Sequence, residues 1–428
     1  MDWPTMINRA KTRIRNYFWT HKWYKKLMPE RIRKKISGKI LGRLESRTEP
    51  PKPYAPGAYP PGVNLYGFFR AENGLAQGVK LYAAALGKAG IPHVLLNTDF
   101  LDWLPQEDAS FDERLEKDNR YAVNVVHINP DQWQEAVGEF PRNQFDGHYN
   151  IGVFLWELET IPDGWKKILD YVDEVWAPSE FIARAIRKET EKPVIVLPYG
   201  IETPADETVT REDFGIPPED FTVLMMFDSN SFASRKNPEG VLNAFREAFG
   251  EHPEGVKLVV KINNATEQDI AFVKEQTGIG DALILITERM EKRKLNSLIR
   301  LCDVYISLHR SEGFGLVMAE AMNLGVPVIA TNWSSNVEFM PPEAACMVDY
   351  TLVPVNDRYQ FDNGKLVWAE ADVHQAAGYL KKLKEDPAFR RRIGAAGQAV
   401  IQSQLTTEQC GDRIRKRVQE ILGPEGLR

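Results

Sequence analysis

The chain has 428 residues, of which 43% are hydrophobic and 10% aromatic, with a formal net charge of −6. This length suits two or three domains with sizeable cores, and the composition excludes a globally disordered chain and does not favour nucleic acid as a partner. The three cysteines, Cys302, Cys346 and Cys410, lack metal-ligand spacing and fit a reducing compartment better than a disulfide scaffold.

The chain begins with a strongly basic segment. Residues 1–50 hold 14 Lys and Arg against 4 Asp and Glu. Within residues 5–45 these cations alternate with Ile, Tyr, Phe and Trp, which predicts a basic amphipathic arm over residues 1–47. Such an arm can lie on an anionic membrane surface, with its rings at the interface and its cations on the headgroups. A solvated arm, or a helix packed on its own protein, is the alternative.

Hydropathy predicts no membrane crossing. No run of about 18 apolar residues occurs, and the N-terminus lacks the apolar core of a signal peptide. We therefore expect a cytoplasmic protein that is peripheral on the inner face of the cell membrane.

A proline-rich linker is predicted over residues 48–62, because proline at this density sustains neither a helix nor a central strand. Residues 63–200 then alternate apolar strands with helices, and Ser179 is a candidate N-cap. This pattern is typical of a parallel sheet built from βαβ units. The six predicted strands are VNLYGFF, PHVLLN, YAVNVVHI, YNIGVFLW, DEVWAP and PVIVLP.

A second series of the same kind spans residues 201–400, after a hinge predicted near 197–204. Its strands are FTVLMMF, VKLVVKI, ALILIT, VYISLH, VPVIAT and ACMVD. The predicted fold class is α/β, with two Rossmann-like doubly wound domains facing a cleft. A C-terminal helix is predicted in residues 401–428, and one possibility is that it crosses back to pack on the first domain. A ligand in such a cleft would meet the carboxyl ends of the strands from both domains.

Two glutamates mark the second domain. Glu312 lies in the glycine-rich loop after the strand VYISL, and Glu320 follows eight residues later in the next helix. The free amides and the dipole at a helix N-terminus favour anionic or oxygen-rich ligands. Two carboxylates held this far apart suit hydroxyl groups at two places on one elongated ligand.

The stretch SEGFGLVMAEAMNLGVPVIAT, with its E-x7-E spacing, resembles the signature of retaining glycosyltransferases of the GT-B fold, family 4, of the bacterial polysaccharide-assembly type. FDSNSFASRKNP (227–238) is similar to the phosphate-binding segment of bacterial members. IGVFLWELETIPDGW and DEVWAPSEFIARAI also resemble the first domain of this group. The resemblance extends over about residues 63–400.

The resemblance implies a role for each matching residue. Glu312 would bind hydroxyls of the donor sugar, Glu320 would bind the ribose hydroxyls of the nucleotide, and Arg235 and Lys236 would clamp the diphosphate. Preorganised cations also make chemical sense here, because negative charge develops on a leaving nucleoside diphosphate. The remaining implied donor contacts are the backbone groups of Gly313, Phe314, Gly315 and Leu316, with Asn73 and Gly74 from the loop after the first strand.

The sequence departs from the family pattern in two places. Many members place the arginine five residues before the lysine, a position that holds Ser231 here, so the role of Arg235 is open. Many also place a histidine at the end of the fourth strand, where this chain has Trp156 and Glu157 as candidate acceptor or sugar contacts. His148 precedes that strand and is interpreted as a surface or loop residue.

The implied activity is transfer of a sugar, with retention, from a nucleoside diphosphate to a hydroxyl of a glycan or lipid-linked glycan. No metal and no cofactor is expected. A non-hydrolysing nucleotide-sugar epimerase and a non-catalytic sugar-nucleotide-binding protein are the alternatives. Acceptor-dependent release of nucleoside diphosphate would separate the transferase from both.

Overall fold

The computed structural model describes residues 50–427 except 102–103, 134–141, 232, 356–364 and 424–425. The basic arm lies outside these residues. In the part of the chain that is described, no helix combines the length and the hydropathy needed to cross a bilayer.

The first domain is built on a six-stranded parallel sheet, as the alternating pattern predicts. Its strand order is β2-β1-β3-β4-β5-β6. The strands are buried on both faces, which explains their continuous apolar runs. The strands are β1 (Val63–Gly67), β2 (His93–Asn97), β3 (Val123–Val126), β4 (Tyr149–Val153), β5 (Glu174–Ala177) and β6 (Val194–Val196), and the α-helices are α1 (Gly74–Lys88), α2 (Asp163–Lys166) and α3 (Glu180–Arg187).

The second domain repeats this plan with a sheet of order β9-β8-β7-β10-β11-β12. The order reverses between β7 and β10, which pair in parallel. Ligands of open α/β sheets bind beyond the strand ends at such a reversal. The strands are β7 (Phe221–Asp228), β8 (Val256–Asn263), β9 (Leu283–Ile286), β10 (Val304–Ser307), β11 (Val328–Thr331) and β12 (Cys346–Val348); the helices are α4 (Ala233–Lys236), α5 (Pro238–Phe249), α6 (Glu267–Thr277), α7 (Lys292–Leu301) and α8 (Leu316–Asn323).

A small antiparallel hairpin follows β12, and the sequence analysis does not predict it. It pairs β13 (Tyr350–Pro354) with β14 (Val367–Ala371). The hairpin ties the two domains together, because Trp368 of β14 belongs to an apolar cluster made mostly of first-domain side chains, including Trp156.

Three helices complete the chain: α9 (Val373–Glu385), α10 (Pro387–Gln404) and α11 (Thr407–Leu422). The last of them packs against α1 of the first domain so closely that a Cβ at Gly411 would lie 2.6 Å from the Ala85 carbonyl oxygen. Arg417 of α11 also forms an ion pair with the fully buried Glu174 of β5. The C-terminal helix therefore stabilises the arrangement of the two domains.

Candidate active site

The loop between β10 and α8 lies at the reversal of strand order in the second sheet and carries Glu312. Gly315 ends the loop with a φ of 91°, a left-handed conformation that favours glycine. A Cβ at Gly313 would lie 2.9 Å from the carbonyl oxygen of Trp156 in the first domain. The glycines therefore permit both the turn into α8 and the close approach of the two domains.

The Glu312 carboxylate lies between two cations. Lys236 Nζ contacts Oε1, and Arg235 Nη1 lies 3.4 Å from Oε2. Burial alone would raise the pKa of the Glu312 carboxyl, but Lys236 and Arg235 outweigh it and lower this pKa to about 2. The side chain is therefore ionised at neutral pH, and it holds both cations beside the N-terminus of α8.

The two cations differ in their surroundings. The Arg235 side chain is 5% exposed, and it bonds the Ser311 carbonyl oxygen (2.8 Å) while approaching Glu157 of the first domain (3.4 Å). The Lys236 side chain is 23% exposed. Ser231, at the position where many family members carry arginine, donates its hydroxyl to the Asp228 carbonyl oxygen. Lys236 is thus the more accessible of the two cations.

Two serine hydroxyls from the loop after β11 bond the Glu312 backbone. The Glu312 amide donates to Ser334 Oγ (2.9 Å), and Ser335 Oγ donates to the Glu312 carbonyl oxygen (2.7 Å). These bonds fix the Glu312 backbone, and the ion pairs with Lys236 and Arg235 hold its side chain.

Glu320 lies on the second turn of α8, buried to 2% side-chain exposure. Neither carboxylate oxygen accepts a hydrogen bond from a described residue. After burial, the charges of Glu312 and Glu320 are the causes that raise the pKa of Tyr305 on β10, so both carboxylates lie close to one side chain. No described side chain caps the N-terminus of α8 between them. Free amides and two carboxylates therefore border one region.

The first domain contacts the second at three points around this site, two of them in the Glu312 loop and one at Glu338 after β11. Ser179, the N-cap of α3, donates to the Gly313 carbonyl oxygen (2.8 Å). The Glu338 carboxylate accepts from the amides of Glu180 and Phe181 (2.9 Å each). Ser311 Oγ donates to the Glu157 carbonyl oxygen. The closed cleft thus brings β4 and α3 of the first domain against the Glu312 loop.

The candidate acceptor contacts of the first domain have different orientations. The Trp156 ring is buried in the first domain, with Nε1 donating to the Thr160 carbonyl oxygen, so its backbone carbonyl meets the glycine loop. The Glu157 side chain is 26% exposed and approaches Arg235. Of these two side chains, Glu157 alone reaches the charged cluster.

Asn73 and Gly74 begin α1 at the strand-order reversal of the first sheet. Asn73 accepts from the Ala76 amide (2.9 Å) as the N-cap, and Gly74 is exposed. Burial lowers the pKa of Lys261 on β8, and the charges of Asp228, Glu288 and Glu72 partly offset this effect. Glu72, which precedes the N-cap of α1, therefore lies near a lysine of the second domain.

His148 lies in the loop before β4, which agrees with one of the two expected locations, but it is not at the surface. Its ring is buried, stacks on Tyr59 at a centroid distance of 3.7 Å, and donates from Nδ1 to the Tyr121 carbonyl oxygen. The sequence analysis also missed Lys292, whose Nζ lies 2.6 Å from Glu320 Oε1. A cation in the first turn of a helix, where the dipole disfavours it, was the available signal.

Comparison with known proteins agrees with this geometry. Residues 206–400 match the family model described as glycosyl transferases group 1. A GDP-mannose-dependent monoacylated alpha-(1-6)-phosphatidylinositol monomannoside mannosyltransferase of Corynebacterium glutamicum is 23% identical over 237 residues, which cover 52% of this chain and 55% of that protein. A D-inositol 3-phosphate glycosyltransferase of Xylanimonas cellulosilytica is 30% identical over 37% of this chain and 42% of its own. The chain thus aligns with about half the length of these curated relatives.

Solved structures share the two-domain architecture. HepE of Anabaena, in complex with UDP and glucose, superposes with a TM-score of 0.62 at 12% identity, over 84% of this chain and 100% of that chain. Sucrose-phosphate synthase of Thermosynechococcus elongatus gives 0.61 at 16% identity, over 84% and 98%. Residues 206–400 thus match the glycosyl transferases group 1 family, and the chain shares the two-domain GT-B fold of these glycosyltransferase structures.

Proposed function

We propose that the protein is a retaining glycosyltransferase that moves a sugar from a nucleoside diphosphate to a hydroxyl of an acceptor. The observation that carries this proposal is the pair of carboxylates on either side of the uncapped N-terminus of α8. Glu312 is paired with two cations, whereas among the described residues neither Glu320 oxygen accepts a hydrogen bond and Lys292 alone forms an ion pair with it. A diphosphate at the helix N-terminus would have its sugar towards Glu312 and its ribose towards Glu320.

Lys236 is the proposed phosphate-binding cation. Its ammonium is more exposed than the Arg235 guanidinium, and it lies at the carboxylate that faces the helix N-terminus. As the bond between the sugar and the phosphate breaks, negative charge grows on the leaving oxygen, and a fixed ammonium stabilises it. Arg235 supports this arrangement by joining Glu312 to Glu157 across the cleft. We propose that these cations make a metal unnecessary.

The proposed reaction proceeds on one face of the sugar. The bond from the anomeric carbon to the phosphate oxygen breaks, and a bond to the acceptor oxygen forms on the same side. The acceptor proton passes to the leaving phosphate oxygen, so no protein base is required. Glu157 lies at the first-domain side of the cluster, where it could orient the acceptor hydroxyl.

The proposed acceptor is a glycan or lipid-linked glycan at the cytoplasmic face of the membrane. The basic composition of residues 5–45 supports it, as does the Corynebacterium glutamicum relative, which is named as a phosphatidylinositol monomannoside mannosyltransferase. Deleting residues 1–47 should abolish sedimentation with anionic vesicles and leave donor hydrolysis intact. Unchanged sedimentation of the truncated protein would assign the arm another role.

A coupled assay for nucleoside diphosphate release tests the activity. The protein is incubated with UDP-, GDP- and ADP-sugars, with and without lipid-extract acceptors, in buffer containing EDTA. We expect acceptor-dependent release from one donor class and a product with the donor's anomeric configuration by NMR. Interconversion of the sugar nucleotide without acceptor would indicate an epimerase, and binding without turnover would indicate a non-catalytic protein.

A further inference from the structure

The Glu320 carboxylate is an incomplete site. Its side chain is 2% exposed, and within the described residues neither oxygen accepts a hydrogen bond. A buried polar atom without a partner costs free energy, and such atoms are uncommon in folded proteins. A ligand that donates two hydrogen bonds would complete the carboxylate.

Lys292 is the charged neighbour of this carboxylate. Its Nζ lies 2.6 Å from Glu320 Oε1, outside hydrogen-bonding geometry, and its side chain is 31% exposed. The ammonium thus lies on the solvent side of a buried carboxylate and supplies its counter-charge. Pairing of this kind lowers the cost of burying the carboxylate.

The location of Lys292 is not explained by helix formation. It is the first residue of α7, and no acidic residue accompanies it in the first turn. A cation at a helix N-terminus opposes the helix dipole. Arg293 and Lys294 lie in the same turn, and the contact with Glu320 on α8 distinguishes Lys292 from them.

We infer that Lys292 is a positioning residue for Glu320. The inference rests on the proposed function, which assigns the ribose to Glu320, and adds that the affinity of that subsite and its preference for ribose over 2′-deoxyribose depend on Lys292. A ribose offers two neighbouring hydroxyls to the two carboxylate oxygens that Lys292 holds in place. A 2′-deoxyribose offers one, which leaves one buried oxygen without a donor.

This difference sets the expected selectivity. Leaving a buried acceptor unsatisfied should weaken binding of the deoxy form roughly 5- to 150-fold. Without Lys292, the carboxylate is free to turn and to take up water, so both the affinity and the selectivity should fall. A purely structural lysine would affect stability without changing the preference between the two sugars.

Calorimetric titration tests the inference. UDP, GDP and ADP are titrated into the full-length wild type, followed by the 2′-deoxy form of the nucleotide that binds most tightly. The same pair is then titrated into K292M, K292Q, E320Q and the double variant K292M/E320Q. K294M is the matched control, because Lys294 lies on the same helix and approaches Glu288 instead (3.8 Å). Melting temperatures without ligand establish that each variant folds. If K292M does not fold, K292Q replaces it in the comparison.

We expect the wild type and K294M to prefer the ribonucleotide by at least about fivefold. K292M should bind it about tenfold more weakly, with most of the preference lost, and should add little to the effect of E320Q. A folded K292M or K292Q with wild-type affinity and preference would overturn the inference alone. Binding of none of the three nucleotides to the wild type would overturn the proposed function and, with it, the inference.

Discussion

Glu312 and Glu320 are eight residues apart in the chain, and their carboxylates have different electrostatic environments. Glu312 lies between two cations, and its backbone is bonded by two serines. Glu320 has one ammonium beside it, and among the described residues its carboxylate accepts no hydrogen bond of good geometry. The first carboxylate pairs with protein cations, and we propose that the second binds hydroxyls of the ligand. Two identical residue types in one motif therefore carry different tasks, because different elements pack against them.

The two glutamates also differ in which domain their surroundings come from. Partners of Glu312 reach across the cleft, since Arg235 contacts Glu157 and Gly313 contacts Ser179 of the first domain. The described partner of Glu320 comes from α7 of the same domain. Changes around Glu312 should therefore affect turnover and domain closure, whereas changes around Glu320 should affect nucleotide binding.

The largest expected effect comes from Lys236→Met. Loss of a preorganised charge at the leaving group should lower kcat by about 10²- to 10³-fold, because the charge acts in the transition state. Steady-state kinetics with the accepted donor measure it. K274M, on the exposed face of α6, is the control and should keep wild-type kcat. A K236M enzyme with near-normal kcat would remove Lys236 from the diphosphate site.

An intermediate effect on the free energy of unfolding is expected when the pH is lowered. The folded-state pKa of Glu312 is about 2, below its ordinary value of 4.5, so its contribution to stability is present above pH 4.5. This contribution, about 3 kcal/mol, is lost as the pH falls from 4.5 towards 2.

Urea unfolding of wild type and E312Q between pH 6 and pH 2.5 measures this linkage. The wild type should lose more free energy of unfolding over this range than E312Q, and the exposed-residue variant E113Q should follow the wild type. Parallel curves for wild type and E312Q would show that the two cations do not stabilise the Glu312 carboxylate.

The smallest expected effect comes from Ser179→Ala. The hydroxyl caps α3 and bonds the Gly313 carbonyl oxygen, so its loss should cost about 1 kcal/mol in free energy of unfolding. Ser179→Thr keeps both bonds and is the control. Because Ser179 serves the Glu312 loop, nucleotide affinity at Glu320 should change little. A large loss of affinity would mean that the two carboxylates are coupled through the cleft.

The twelve strands of the two sheets were predictable because each is a short apolar run between helices, a pattern that parallel pairing requires. The hairpin β13–β14 was not, since its first strand is half exposed and its second gains stability from packing Trp368 against the first domain. The burial of His148 was not predictable for a similar reason, because Tyr59, which stacks on its ring, is far away in the chain.

At the site, spacing and residue type were enough to select Glu312, Glu320, Arg235 and Lys236 as candidates. Local sequence carries helix starts, glycine turns and apolar periodicity, because these depend on neighbours within a few residues. Only the tertiary structure decided that Arg235 is buried between Glu157 and Glu312, that Trp156 faces its own domain, and that Lys292 lies beside Glu320. Those contacts join residues from separate elements, and electrostatic partners are set by distance in space rather than by separation along the chain.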